Sequence, residues 1–276
     1  MLLAAAVILT TLTACSWPRE ESAVPTPGPY VWSDEFDAPA GTPVDAAKWK
    51  FDVGNRWGDH ELEYYTDSTR NVAHDGKGNL AITARAGNPD GYQCQYGPCK
   101  YTSGRILTEG IFEQKYGYFE SRIKIPRGKG MWPAFWLLGG NNWPAQGEID
   151  IMEVLGHTPA TVHATAHGPG YFGGGGIGTK KATRAPLSDD FHTYAVDWSP
   201  NLVVWYLDGA EYFRMTPKSL KGKNWVFDHP FHIILNLAVG GRWPGAPDEN
   251  TVFPQSMLID YVRVKAWDNA ASAARR

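Results

Sequence analysis

The chain has 276 residues, 43% hydrophobic and 20% charged, a composition that excludes a wholly disordered or collagen-like protein. Lys and Arg number 26 against 29 Asp and Glu. The net charge of −3 offers no basic surface for nucleic acid, so no such partner is expected. The 12 Trp residues exceed what a core of this size needs and indicate stacking surfaces for ring-shaped ligands.

The N-terminal region has the features of an exported protein. Residues 1–14 contain an apolar run too short to span a bilayer as a helix, and they are predicted to be a secretory signal. The segment LTAC resembles a bacterial lipobox and predicts a lipidated Cys15; the alternative is an ordinary signal peptide with an incidental cysteine. A Pro-rich tether is expected over 15–29, one domain over 30–268 and a tail over 269–276. We therefore expect a secreted or surface-anchored protein that meets the membrane only through a lipid anchor.

The rest of the chain shows almost no helical periodicity and consists of short alternating apolar and polar runs separated by turn residues. Strands are predicted over residues 80–84, 117–125, 161–167, 193–198, 203–207, 231–238 and 259–266. Many short strands at this spacing are typical of an all-β domain, an antiparallel β-sandwich or jelly roll. Cys94 and Cys99 bracket a Gly-Pro turn, which favours a small-loop disulfide over two free thiols.

The segment 147–156 (GEIDIMEVLG) concentrates acids among apolar residues. Glu148 and Asp150 share one face of a strand, whereas Glu153 is out of phase with them. One extra residue at Ile151-Met152, a β-bulge, would return Glu153 to that face. Three neighbouring acids repel one another, so at least one is expected to stay protonated. A carboxylate and a carboxylic acid across a cleft supply the nucleophile and general acid of retaining glycoside cleavage. The alternative, a solvated acidic edge strand, does not explain the alternation with Ile and Met.

Tryptophans near this segment are candidates for lining a groove. In the run MWPAFWLL, parity places Trp132 and Trp136 on one face, and beside the acids they are predicted to stack on sugar rings rather than to fill the core. Trp243 follows Gly-Gly-Arg in a loop, where a large apolar ring needs a partner such as a glucosyl ring.

Two other patterns resemble cofactor-binding motifs but lack the residues that such motifs need. His163 and His167 share one face of a predicted strand, but no third ligand spacing accompanies them, so a catalytic metal is not expected. Residues 173–176 (GGGG) lack the context of a phosphate loop and are predicted to form a flexible loop over the cleft.

The acidic segment from Glu148 to Glu153 (EIDIME) resembles the E-x-D-x-x-E signature of glycoside hydrolase family 16, with the spacing of its laminarinase-like, bulged members. Further motifs of that family occur in the same order along the chain: SDEF, ELEYYT, YTSGR, MWPAFWLLG, VHATAHGPGY, LAVGGRWP and IDYVRV. The resemblance implies a β-jelly roll with a concave substrate cleft and retaining hydrolysis of β-linked glucans. It also implies that Glu148 is the nucleophile, Glu153 the general acid/base and Asp150 the orienting acid between them.

The same resemblance makes three further predictions. It places His167 near the acid/base residue, where the ring could bond a sugar hydroxyl. It places Glu35 and Asp260 near a structural calcium site that would join the two chain ends. No cofactor is expected for catalysis.

The leading hypothesis from the sequence is a monomeric endo-β-1,3-glucanase acting on laminarin-like polysaccharide. One alternative is a non-catalytic glucan-binding sandwich with the same tryptophans. Another keeps the enzyme class but changes the substrate to mixed-linkage β-glucan or a galactan. The intact acids at 148, 150 and 153 favour an enzyme, because a binding module has no use for three acids that repel one another.

Overall fold

A computed structural model describes residues 29–56 and 58–267. The predicted signal, Cys15, the tether up to residue 28 and the tail from residue 269 onward lie outside the described residues. Within these limits the chain forms nineteen strands and two short 3-10 turns, Gly173–Gly175 and Pro217–Leu220. The strands are β1 (Tyr30–Asp34), β2 (Lys50–Phe51), β3 (Glu63–Tyr65), β4 (Val72–His74), β5 (Leu80–Ala86), β6 (Gln93–Cys94), β7 (Gly97–Pro98), β8 (Tyr101–Ser103), β9 (Arg105–Leu107), β10 (Gly117–Lys124), β11 (Met131–Leu138), β12 (Glu148–Val154), β13 (Thr161–His167), β14 (Ile177–Ala182), β15 (His192–Ser199), β16 (Leu202–Leu207), β17 (Ala210–Met215), β18 (His232–Val239) and β19 (Gln255–Lys265).

The strands form a jelly-roll β-sandwich, as the sequence predicted. One sheet has seven strands in the order β14-β13-β12-β11-β18-β9-β2. The other has ten, in the order β17-β16-β15-β10-β19-β5-β8-β3, with β1 beside β19 and β4 beside β5. Among the described strands, pairing is antiparallel except between β3 and β8, which run parallel. A separate hairpin of β6 and β7 is closed by a disulfide between Cys94 and Cys99.

Apolar side chains from both sheets form one core, which fixes which face of β11 and β12 looks outward. Phe135 and Leu137 on β11 are fully buried, while Trp132 and Trp136 are half-buried on the opposite face. From the ten-stranded sheet, the buried Trp205 donates its indole N–H to the main-chain carbonyl of Asp150, with 2.8 Å between the two atoms. The acid-bearing strand is therefore held from behind by the core.

The differences between the structure and the predicted strands include an unpredicted edge strand, β14, and the residues at which β18 and β19 begin. β14 was not predicted because five of its six residues are exposed and show no apolar alternation; backbone pairing with β13 forms it. The predicted strand at 231–238 begins at His232, because Phe231 makes only an isolated bridge to Gln114. β19 begins at Gln255, before the apolar alternation starts, because its polar first residues pair with β5. None of the helices in the described ranges is long and apolar enough to cross a membrane.

Candidate active site

The acid strand β12 contains the predicted β-bulge. Asp150 pairs with Thr165 and Glu153 pairs with His163, so three steps on β12 oppose two on β13. On the other side, Met152 pairs with Phe135 and Asp150 with Trp136, which leaves Ile151 as the extra residue. The bulge brings Glu153 onto the cleft face with Glu148 and Asp150. The prediction of a bulge at Ile151-Met152 is confirmed.

The three carboxyls share a poorly solvated pocket, and this decides their protonation. Burial raises the pKa of Glu148, and the charge of Asp150 raises it further, while His167 acts in the opposite direction. Burial also raises the pKa of Asp150. The pKa of Glu153 lies well above its ordinary value through burial and then the charges of Asp150 and Glu148. The group therefore retains protons at neutral pH, and its titration belongs to the set rather than to one residue.

His167 lies at the Glu148 end of the acid row. It pairs with Glu148 across β12 and β13, and its Nε2 is 3.1 Å from Asp150 Oδ2 and 3.6 Å from Glu148 Oε1. The residue across from Glu153 is His163 instead. One atom each from Glu148, Asp150 and His167 lies within 4.8 Å of the others, close enough for a cation to bridge them.

A glycine keeps His167 against the acids. A Cβ at Gly176 would lie 2.6 Å from Cε1 of the His167 ring and 2.6 Å from Cγ2 of Thr165, so a larger residue would displace one of them. The preceding Gly173–Gly175 forms a 3-10 turn, and Gly173, Gly174 and Gly176 line the cleft. The predicted glycine loop thus lies at the cleft.

Trp132 and Trp136 both line the cleft, with different partners. The indole N–H of Trp132 donates to Glu153 Oε1 over 3.0 Å. That of Trp136 donates to Asn236 Oδ1 over 2.8 Å, and the guanidinium carbon of Arg105 lies 4.8 Å from the Trp136 ring centre. Trp132 therefore touches a candidate catalytic group, whereas Trp136 belongs to the wall.

Exposed aromatic rings lie at both ends of the acid row, in a cleft of about 1260 Å³. Trp243 is 41% exposed and packs edge-on against Trp132, with ring centres 5.4 Å apart. At the Glu148 end, Trp143 is 44% exposed and meets Phe172 edge-on at 5.4 Å. The sequence interpretation included Trp243 and missed Trp143, which carries the same signal of a large ring in a Gly- and Asn-rich loop.

A second group missed from the sequence lines the wall beside Trp136. Glu61, Arg105 and Asn236 belong to segments far apart in the chain, and all three border the cleft. Only the alternation in ELEYYT, which puts Glu61 and Glu63 on one face of an extended segment, could have pointed to this group.

Glu35 and Asp260 already have arginine partners. Both oxygens of Glu35 accept hydrogen bonds from Arg263, at 3.0 and 2.7 Å, and Asp260 Oδ2 accepts one from Arg122 at 2.6 Å. Calcium prefers carboxylate and carbonyl oxygens free to surround it. The two side chains as placed do not fit the predicted calcium site.

A β-sandwich whose cleft holds a row of buried carboxyls between exposed tryptophans has the arrangement of a glycoside hydrolase. Comparison with known proteins agrees. A model of the family described as "Glycosyl hydrolases family 16" matches residues 58–263. The chain belongs to glycosyl hydrolase family 16 and is a glycosidase.

Individual relatives are similar over most of the chain. A "Beta-glucanase" from Rhodothermus marinus is 39% identical over 95% of this chain and 94% of its own length. "Glucan endo-1,3-beta-glucosidase A1" from Niallia circulans is 35% identical over 85% of this chain, which covers 37% of that longer protein. The laminarinase catalytic domain of Thermotoga maritima superimposes with a TM-score of 0.82 at 47% identity, covering 88% of this chain and 100% of that one.

Proposed function

We propose that the protein is a retaining endo-β-1,3-glucanase that hydrolyses internal bonds of laminarin-like glucans. The observation that carries this proposal is the bulged strand, which aligns Glu148, Asp150 and Glu153 along a cleft with aromatic rings at both ends. The relatives named as a β-glucanase, an endo-1,3-β-glucosidase and a laminarinase support the substrate class.

In the proposed mechanism, the Glu148 carboxylate attacks the anomeric carbon while Glu153 gives its proton to the departing glycosidic oxygen. The glycosidic C–O bond breaks, and a covalent ester forms between the sugar and Glu148. Glu153, now ionised, takes a proton from water, and the resulting hydroxide attacks the anomeric carbon and releases Glu148. Two displacements on the same carbon give net retention of configuration.

The protonation pattern of the site suits this sequence of steps. The strongly raised pKa of Glu153, caused first by burial, keeps its proton available for the leaving group. Asp150 lies between the two glutamates, and a proton on Asp150 would remove the charge that raises the pKa of Glu148 and so favour the ionised nucleophile. The Trp132 N–H, 3.0 Å from Glu153, would stabilise the carboxylate formed after proton donation. Glycoside hydrolysis of this kind needs no cofactor.

The aromatic rings offer apolar faces to successive sugar units. Trp132 and Trp243 stand at the Glu153 end, where the leaving chain departs. Trp143 and Phe172 stand at the end that carries His167 and Glu148. Pyranose rings stack on such surfaces because their C–H groups form an apolar face.

The deciding experiment is digestion of laminarin, lichenan, agarose and carrageenan by the purified protein, with sizing of early products and ¹H NMR of the newly formed anomeric centre. Early β-configured oligosaccharides from laminarin are expected. Mainly lichenan or agarose cleavage would move the substrate to mixed-linkage glucan or a galactan. Binding of laminarin without cleavage would favour a non-catalytic binding module, and α-configured first products would contradict the roles of Glu148 and Glu153.

We also propose that residues 1–14 direct export, that Cys15 carries a lipid and that the enzyme acts as a monomer at the cell surface. Cys15→Ala should then release the protein from the detergent phase into the medium. Equal partitioning of both forms would contradict the anchor. A calcium ion at Glu35 and Asp260 would have to displace their arginine partners. A melting temperature that changes neither with chelator nor with added calcium would exclude a calcium ion at this position.

A further inference from the structure

Two glutamates, Glu61 and Glu63, lie close together behind the cleft wall. Glu63 is fully buried, and its Oε2 accepts the main-chain N–H of Val239 over 2.6 Å. The charge of Glu61 acts on that of Glu63, and the second oxygen of Glu63, Oε1, is buried and has no hydrogen-bond donor among the described residues. Two ionised carboxylates have no donor between them, so a proton held by the pair would supply the donor that Glu63 Oε1 lacks. The mechanism above does not use this proton.

The pair is connected to Trp136 by a chain of hydrogen bonds. The Trp136 N–H donates to Asn236 Oδ1 over 2.8 Å, and the Asn236 amide donates to the Tyr65 hydroxyl over 3.2 Å. Tyr65 in turn donates to Glu61 Oε2 over 3.0 Å. Every donor in this chain points towards Glu61, which favours Glu61 as the carboxylate of the pair and Glu63 as the acid that holds a proton. The orientation of the indole in the cleft thus depends on Glu61 staying in place.

The same segment also supports the loop that carries Trp243. The N–H of Leu62 donates to the carbonyl of Val239 over 2.7 Å, just before Gly240. A Cβ at Gly240 would lie 2.6 Å from Leu62, so the loop and this segment are in close contact. Asp59 then accepts the N–H of Trp243 on its side chain over 3.2 Å. Trp136 and the loop of Trp243 are therefore both connected by hydrogen bonds to the segment that contains Glu61 and Glu63.

We propose that Glu61 and Glu63 form a positioning pair for the glucan cleft: a proton held between them fixes Trp136 through Tyr65 and Asn236, and fixes the Trp243 loop through Val239. Loss of that proton would leave two like charges close together behind the wall, and their repulsion would push the two carboxyls apart and displace Tyr65 and Val239, which are bonded to them. The pair would thereby make glucan affinity, rather than the chemical step, dependent on pH. This inference rests on the proposed function only for the identity of the sugar ligand.

The surroundings set the pH range of this effect. Burial raises the pKa of both glutamates, and the charge of Glu61 raises that of Glu63 further. The charged and titratable groups that face the pair are Asp59 in the preceding loop, Tyr65 on β3, Tyr96 on the disulfide hairpin and Arg105 on β9, which also pairs with Asp52. The charge of Arg105 lowers the pKa of Glu61, and the Nε of Arg105 also pairs with Asp52 Oδ2 at 3.1 Å. We therefore expect the pair to lose its proton well above the pH at which an exposed glutamate does.

The test uses Glu63→Gln, whose amide can donate to Glu61 and accept from Val239 at every pH. Glu61→Gln supplies the donor from the other side and is the second variant. Glu249→Gln, an exposed glutamate outside the cleft lining, is the matched control. Each is placed in the Glu148→Ala background, where no turnover disturbs binding. A β-1,3-linked glucose hexasaccharide is titrated calorimetrically from about pH 6 to about pH 9. The Trp136 indole ¹H–¹⁵N resonance, assigned with Trp136→Phe, is followed in parallel.

In the parent, Kd should rise about fivefold across this range, the equivalent of one hydrogen bond, and the Trp136 resonance should shift with it. Glu63→Gln should abolish both changes and Glu249→Gln neither. In the active enzyme, Glu63→Gln should flatten KM in alkali and leave the pH profile of kcat in place. A Trp136 resonance that titrates equally with Gln at 63, or does not titrate in the parent, would overturn the inference. A resonance that titrates as expected in a protein that neither binds nor cleaves the hexasaccharide would refute the glucanase proposal alone.

Discussion

Replacing Trp132 by phenylalanine should move the alkaline limb of the activity profile to higher pH. The indole N–H donates to Glu153 Oε1 over 3.0 Å and so favours the ionised form of that acid. Phenylalanine keeps the ring that meets Trp243 edge-on but removes the donor. Glu153 would then hold its proton more tightly, and the enzyme would stay in its proton-donating form to higher pH.

The size of the shift follows from the hydrogen bond that is lost. A hydrogen bond to a charged group contributes about 1.5–3 kcal/mol, and water entering the half-exposed cleft recovers part of it, leaving roughly 0.7–1.4 kcal/mol. One pKa unit corresponds to about 1.4 kcal/mol, so the midpoint of the alkaline limb should move up by about 0.5–1 pH unit.

The assay is kcat/KM on laminarin as a function of pH, which reports the ionisations of the free enzyme. Trp136→Phe is the control, because its indole bonds to Asn236 rather than to an acid. The control should weaken substrate affinity and leave the limb at its wild-type pH. An alkaline limb that stays in place or falls in Trp132→Phe would refute the assignment of Glu153 as the proton donor.

Three further predictions concern the same cleft. Glu148→Ala should lower kcat at least about 10³-fold with laminarin binding retained, and azide should restore turnover of Glu148→Gly with an α-linked product; a β-linked azide product would contradict the attack from Glu148. Gly176→Ala should lower kcat about tenfold by pushing His167 off the acids, whereas Gly174→Ala, where a Cβ meets nothing within 4 Å, should match wild type; equal effects would remove the steric explanation. Burial raises the pKa of Glu153, so its proton stabilises the fold below its ordinary pKa, and that stability is lost as pH rises through the folded-state value. The unfolding free energy of Glu153→Gln should therefore be about 1–3 kcal/mol higher than that of wild type in alkali and equal to it in acid. Urea titration at both pH values measures this difference. Equal stability of the two proteins in alkali would mean that the ionised Glu153 is well solvated.

Features that depend on neighbours along the chain follow from the amino-acid sequence alone. Alternation with a period of two placed Trp132 and Trp136 opposite Phe135 and Leu137, because successive side chains of a strand point to opposite faces. By the same rule Glu153 is out of phase with Glu148 and Asp150. A β-bulge is therefore predicted, because one inserted residue returns the following side chain to the face of the earlier ones.

Tertiary structure decided the contacts that join segments far apart in the chain. Strand register placed His167 opposite Glu148 and His163 opposite Glu153, a choice that no local pattern within β13 contains. Asn236 meets Trp136 across 100 residues of chain. The arginine partners of Glu35 and Asp260 lie 228 and 138 residues away in sequence. An alternating pattern fixes which face a side chain takes, but the partner it meets there depends on how the strands are ordered and aligned, which only the packed sandwich determines.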